Sequence, residues 1–154
     1  MMNKIKSKQD KTLAGQAIED FYNCGLPYLK DLQLRAEWDG KAGKAYFTTQ
    51  SHHSGGAKGW VYGGLIASMI DCHSIATAIA FTCQSEGRER ATQPEIQFVT
   101  RSLDVNYRSP TPVETELFLF AEIKEIKGKK IVISCSLYVN DNESVQAEVI
   151  AERI

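Results

Sequence analysis

"WVYGGLIASMIDCHSIATAIAF", residues 60–81, decides how the rest of the chain is read. From Leu65 to Cys83 it runs for 19 residues, about 28 Å as a helix at 1.5 Å per residue, near the thickness of a bilayer's apolar core. Its polar interruptions argue against a membrane span. Ser68, Asp71, His73, Ser74 and Thr77 fall inside it, and an aspartate at mid-membrane is costly unless it is paired or functional. No second span and no flanking basic anchor accompanies it. The stretch is therefore expected to be a buried helix, whose Ala67, Ala76, Ala78 and Ala80 let neighbouring elements approach closely.

Working outward, 154 residues fit one domain with room for a sizeable core. The formal net charge of −1 supplies no global field for nucleic acid or an anionic membrane, so any anion must be held locally. Cys24, Cys72, Cys83 and Cys135 are widely spaced with no C-x-x-C, which speaks against a zinc site or a disulfide framework. The opening "MMNKIKSKQDKTLAG" has no apolar core of signal-peptide length, so a cytoplasmic location is expected.

Residues 1–11 read as a flexible N-terminus and 12–154 as a single domain. In the latter, Leu13, Ala17, Ile18 and Phe21 recur at helical spacing, predicting a helix over 12–24 that "CGLP" stops. "LQLRAEW" (32–38) and "KAYFTT" (44–49) flank the turn-forming "DGKAG" and read as a hairpin. "SHHSGGAKG" (51–59) breaks all periodicity and reads as a loop. After the long helix, "SEGRER" reads as a turn, followed by four strands. The first of these, "QFVTRSLDVNYR", places Val99, Arg101, Leu103, Val105 and Tyr107 on one face. The last three are joined by "KGK" and "NDNE" turns. The fold class is α+β: short turns imply an antiparallel sheet, and a helix apolar on nearly every side implies that the sheet curves around it.

Two features of the helix carry chemistry. Gly63-Gly64 either turns the chain from loop into helix or leaves the first-turn N–H groups open to an anion or oxyanion. No G-x-x-x-x-G-K-[ST] or G-x-G-x-x-G accompanies them, so no nucleotide fingerprint supports a phosphate. Asp71 is either satisfied locally or functional, since an unpaired carboxylate is not chosen for packing. Seven residues separate Gly64 from Asp71, which places them on nearly the same helix face but about 10 Å apart along the axis. One helix cannot aim both at one carbonyl. Two helices antiparallel across a two-fold axis can, so the site is expected to be complete only in a dimer.

"GWVYGGLIASMIDCHSIATA", "LDVNYRSPTP" and "AEIKEIKGKKIVISCSL" together resemble the PaaI-like branch of the hotdog-fold acyl-CoA thioesterases, over roughly residues 30–154. The family pattern is approximately H-G-G, seven further residues to an acidic residue, then a strand ending V-x-Y-x-x-P. The resemblance implies a hotdog fold, with Gly64 as oxyanion donor and Asp71 as general base or nucleophile. It also implies a site between the central helices of a homodimer or a dimer of dimers, an acyl-CoA substrate, and no metal or other cofactor. Gly63, Tyr62, His53 and Arg108 are the candidate substrate-binding residues. Tyr62 stands where many relatives carry His before Gly-Gly. A hydroxyl that some relatives carry one turn after the acid would fall on Ile75.

Competing readings are a hydratase or dehydratase of the same fold, which needs His53 beside Asp71, and a non-catalytic acyl-CoA binder. Cys72-His73 point about 100° apart on a helix and do not make a nucleophile–base pair. His52-His53 lack a third ligand of suitable spacing for a metal.

Overall fold

The computed structural model of the chain describes residues 34–89 and 92–154, so the helix expected over 12–24 and the N-terminus 1–11 lie outside the described residues. The elements run β1 (Arg35–Trp38), β2 (Ala42–Thr48), a 3-10 turn at Ser51–His53, α1 (Gly63–Glu86), β3 (Phe98–Tyr107), β4 (Glu116–Lys127), β5 (Lys130–Val139) and β6 (Asn142–Arg153). The strands form one sheet of order β1-β2-β4-β5-β6-β3, every neighbouring pair antiparallel. Tight turns explain the adjacent pairs. Between β1 and β2, for example, the Asp39 carboxylate accepts the N–H groups of Lys41 and Ala42 at 2.8 Å each. Helix α1 carries the chain from β2 across the sheet, so β3 is delivered to the far edge beside β6.

The sheet offers one apolar face to α1. Leu117, Leu119, Ile133, Leu137, Val145 and Val149 are completely covered, and Ile66, Met69 and Ile70 of α1 pack with them, while Ile79 packs with Cys83 and Ile96 in a smaller cluster. This is the expected curved sheet around a central helix. α1 is long and apolar enough to cross a membrane, but most of its apolar window is already buried in the protein's own core. It begins two residues before the expected start and ends three later, because Gln84, Ser85 and Glu86 continue it. Gly87 then stops it in the left-handed region (φ 60°). There the Gly87 and Arg88 N–H groups close on the Gln84 and Cys83 carbonyls at 3.2 and 2.9 Å.

Close approach of helix and sheet depends on Gly43 in β2. A Cβ there would lie 2.2 Å from Thr77 Oγ1 and 3.3 Å from His73 Cε1. Thr77 is buried and tied to the His73 carbonyl at 2.8 Å, so it cannot simply swing away. Gly43→Ala is expected to destabilise the fold by about 2 kcal/mol, in the usual range for overpacking a core. Urea unfolding measures this, and an unchanged midpoint would contradict it.

His73 itself is completely buried, and desolvation holds its imidazole down to about 4, against a smaller opposing pull from the Gly43 backbone. The unfolded chain would bind a proton near pH 6.5 that the folded chain refuses. Stability from this group is therefore intact above about pH 6.5 and declines as the pH falls toward 4, at up to roughly 1.4 kcal/mol per pH unit. Unfolding free energies at pH 7, 6 and 5 check the sign; a flat profile would exclude it.

The alternation expected for β3 is corrected by a β-bulge. Residues opposite each other on neighbouring strands share a face. Leu103, Val105 and Tyr107 pair with Val149, Ala147 and Val145, all core-facing, but the register shifts between Thr100 and Ser102, so Thr100 pairs with Ala151 and Val99 with Glu152. The extra residue, Arg101, flips the parity. Val99 and Arg101 thus turn to the outer face, where Arg101 meets Glu152 at 2.9 Å, and Thr100 turns toward α1. Sequence alternation cannot reveal such an insertion, because a bulge keeps the residue types and shifts only their phase.

Candidate active site

The loop before α1 is fixed by backbone hydrogen bonds rather than by a side-chain cap. Val61 N–H donates to the Thr111 carbonyl at 2.8 Å, Tyr62 N–H to the His53 carbonyl at 3.2 Å, and Gly55 N–H to the Trp60 carbonyl at 3.1 Å. Tyr62 is the N-cap in extended conformation, and its side chain caps nothing. Its carbonyl takes the Leu65 and Ile66 N–H groups at 3.1 and 3.5 Å. The N–H groups of Gly63 and Gly64 have no acceptor among the described residues, and both glycines are exposed. Two donors at the positive end of a 24-residue helix form a ready cradle for negative charge.

Each glycine makes room for a tyrosine. A Cβ on Gly63 would stand 3.3 Å from the Tyr107 ring and hydroxyl, and one on Gly64 would stand 3.3 Å from the Tyr62 ring. Tyr107 Oη donates to the Gly63 carbonyl at 2.7 Å. Burial raises the pKa of this phenol, which keeps it protonated as a donor. Tyr62 lies across the rim of the cradle, 46% exposed, where it can touch a bound molecule.

Asp71 lies two turns along the same face. Gly63 and Gly64 are open, and Ala67, Ser68, Asp71, Cys72 and Ile75 are only partly covered, whereas the residues between them are buried. This strip is the part of α1 that the sheet leaves bare. Asp71 Oδ1 accepts the Thr100 hydroxyl at 2.6 Å. That bond exists because the bulge in β3 turns Thr100 inward, and it fixes one carboxylate oxygen while leaving the other available. β3 runs antiparallel to this half of α1, so Tyr107 meets the helix start and Thr100 meets Asp71.

The remaining sequence candidates separate. His53 is buried against Phe47, with ring centroids 5.5 Å apart, and its Nδ1 accepts the Gln50 N–H at 2.8 Å. It serves the site by bracing the loop at Tyr62. His52 is exposed and its ring lies tilted against that of His53, centroids 4.1 Å apart. Arg108 turns to the outer face of the sheet, meeting Glu143 at 3.2 Å and the Gln146 side chain, so its charge is already matched there. Cys72 and His73 diverge as expected. Burial, reinforced by Asp71, pushes the Cys72 thiol up to about 11, and His73 faces the core. No group of three metal-ligating side chains occurs among the described residues.

Sequence reasoning missed Thr100 and the hydroxyl of Tyr107. Tyr107 is visible within "VNYRSP" only as a strand residue, and unbroken alternation would turn Thr100 to the face opposite Leu103 and Tyr107. A polar residue interrupting an apolar strand face beside Asp71 would have been the only signal, and the bulge hid it.

Residues 58–146 match the family model described as the thioesterase superfamily. A thioesterase superfamily protein from Shewanella loihica has a similar structure, 33% identical, covering 79% of this chain and 90% of that one with a TM-score of 0.61. The E. coli PaaI protein of the phenylacetic acid degradation operon is 13% identical, covers 92% of this chain and 94% of its own, and has a TM-score of 0.74. Among relatives by sequence, the mouse acyl-coenzyme A thioesterase THEM4 is 28% identical over 99 residues, 64% of this chain. The match spans only 37% of that relative's length, as it does for the rat and Xenopus laevis proteins of the same name.

Proposed function

The chain belongs to the thioesterase superfamily, and from that membership we propose that it hydrolyses an acyl-CoA thioester at a site shared by two protomers. One observation carries the reading: the free N–H groups at the start of α1 and the Thr100-anchored Asp71 carboxylate lie on one uncovered helix face, about 10 Å apart. Antiparallel pairing of two such faces sets the Gly64 N–H of one protomer opposite Asp71 of the other. The edge strand supports the same assembly. Among the described residues β3 has no neighbour on its outer side, and it exposes Val99, Leu103 and Tyr107; an uncovered, partly apolar edge is a template for pairing with another copy.

In the proposed reaction the thioester carbonyl oxygen accepts the Gly64 N–H. As base, Asp71 takes a proton from water while the water oxygen bonds to the carbonyl carbon. The C=O π electrons move onto oxygen, and the N–H stabilises the resulting oxyanion. Collapse breaks the carbon–sulfur bond and releases coenzyme A as thiolate, which regains a proton, together with the free acid. As nucleophile, Asp71 would instead bond to the carbonyl carbon, expel the thiolate, and lose the acyl group to water. Either route uses the same two parts and no strong general acid, because a thiolate leaves readily.

Release of free thiol from acyl-CoAs of graded chain length tests the reading, and release well above the spontaneous rate with at least one substrate is the expected result. Acyl-CoA binding without release would favour a binding protein. Loss of an enoyl-CoA's conjugated absorbance without thiol would favour a hydratase, a reaction His53 is poorly placed to assist because its Nδ1 is occupied within the loop.

A further inference from the structure

The Gly63–Gly64 peptide is one rigid plane, with the Gly63 carbonyl at one end and the Gly64 N–H at the other. Whatever holds the oxygen therefore aims the hydrogen. In the helix this carbonyl already receives the N–H of residue 67 on one lone pair; the Tyr107 hydroxyl takes the other at 2.7 Å. The phenol reaches it because Gly63 carries no side chain: a Cβ would press to 3.3 Å against the ring. No side-chain cap steadies this turn from the other side.

We propose that Tyr107 is a positioning residue for the oxyanion donor: through the Gly63 carbonyl it fixes and polarises the peptide whose far end is the Gly64 N–H. The proposal rests on the reading of Gly64 as that donor. A hydrogen bond accepted at the carbonyl draws electron density along the amide and makes the N–H at its other end a stronger donor. It also keeps the first helical turn, where peptide planes tilt most easily, from turning the N–H away as negative charge develops. β3 thereby supports both halves of the chemistry, with Thr100 on Asp71 and Tyr107 on the donor peptide. This also separates the roles of the two glycines: Gly64 carries the donor, and Gly63 admits the group that aims it.

Tyr107→Phe tests this, since it removes the hydroxyl and keeps a ring that is already half exposed. Loss of one such bond is expected to lower kcat about ten-fold, with KM within two-fold of native, an unchanged melting temperature, and a displaced amide resonance for Gly64. A purely structural role would lower the melting temperature and leave kcat alone. A role in touching substrate would raise KM and leave the Gly64 amide in place. Either pattern overturns the proposal. Native hydrolysis with an unaltered kcat in Tyr107→Phe overturns this role alone, whereas absence of hydrolysis by the native protein overturns the thioesterase reading and this role with it.

Discussion

Asp71→Asn is expected to lower kcat for acyl-CoA hydrolysis by about 10²- to 10⁴-fold, the range a positioned base contributes, while leaving the fold intact. Asparagine has nearly the shape of aspartate, and its carbonyl oxygen can still accept the Thr100 hydroxyl that now meets Asp71 at 2.6 Å. What it loses is the charge that removes a proton from water or attacks the thioester. Asp71 is only partly buried, and its tie to Thr100 on β3 survives in the variant, so the melting temperature should move little. Steady-state kinetics beside thermal unfolding separates these effects. A variant that hydrolyses within two-fold of native would remove Asp71 from the mechanism.

Gly64→Pro should cost a comparable amount, about 10²- to 10³-fold, as for loss of one oxyanion donor elsewhere. Proline is tolerated in a first helical turn, where the N–H has no partner within the helix, so the substitution deletes the donor and spares the helix ladder. The Tyr62 ring, 3.3 Å from where the new side chain begins, is exposed and can shift. The more decisive experiment mixes the two inactive proteins. In a heterodimer of Asp71→Asn with Gly64→Pro, one site combines an intact Gly64 with an intact Asp71 while the other has neither. Random pairing makes half the dimers heterodimers with one working site in two, so about a quarter of native activity should return under two-fold symmetry. If each site lies within one protomer, mixing restores nothing.

Most of the architecture was legible from periodicity. The stretch after Gly64 is apolar on nearly every side, so its sequence reads as a core helix even though one strip of it stays partly uncovered. The hairpins are marked by turn residues whose backbone preferences act locally, as Asp39 and Gly40 show. The seven-residue step from Gly64 to Asp71 is likewise set by helix geometry, and it points to a shared site before any contact is known. The resemblance to PaaI-like enzymes is what suggests the roles proposed for those positions.

Periodicity did not reach the supports of that site. The bulge at Arg101 changes which face Thr100 occupies, and it arises from the register of β3 against β6, a partner about 50 residues further along the chain. The bond from Tyr107 to the Gly63 carbonyl joins residues 44 positions apart, and it forms only because the crossover through α1 lays β3 beside the helix it has just left. Arg108 and His53 were plausible by chemistry alone, but tertiary packing committed one to Glu143 on the outer face and the other to the loop that braces Tyr62. The described elements from β1 onward, their order, and the spacing of Gly64 and Asp71 were readable from the chain alone, because they depend on local preferences and on spacing along one helix. What holds Gly64 and Asp71 in place came from the packed fold, because it depends on strand register and on which distant group each side chain meets.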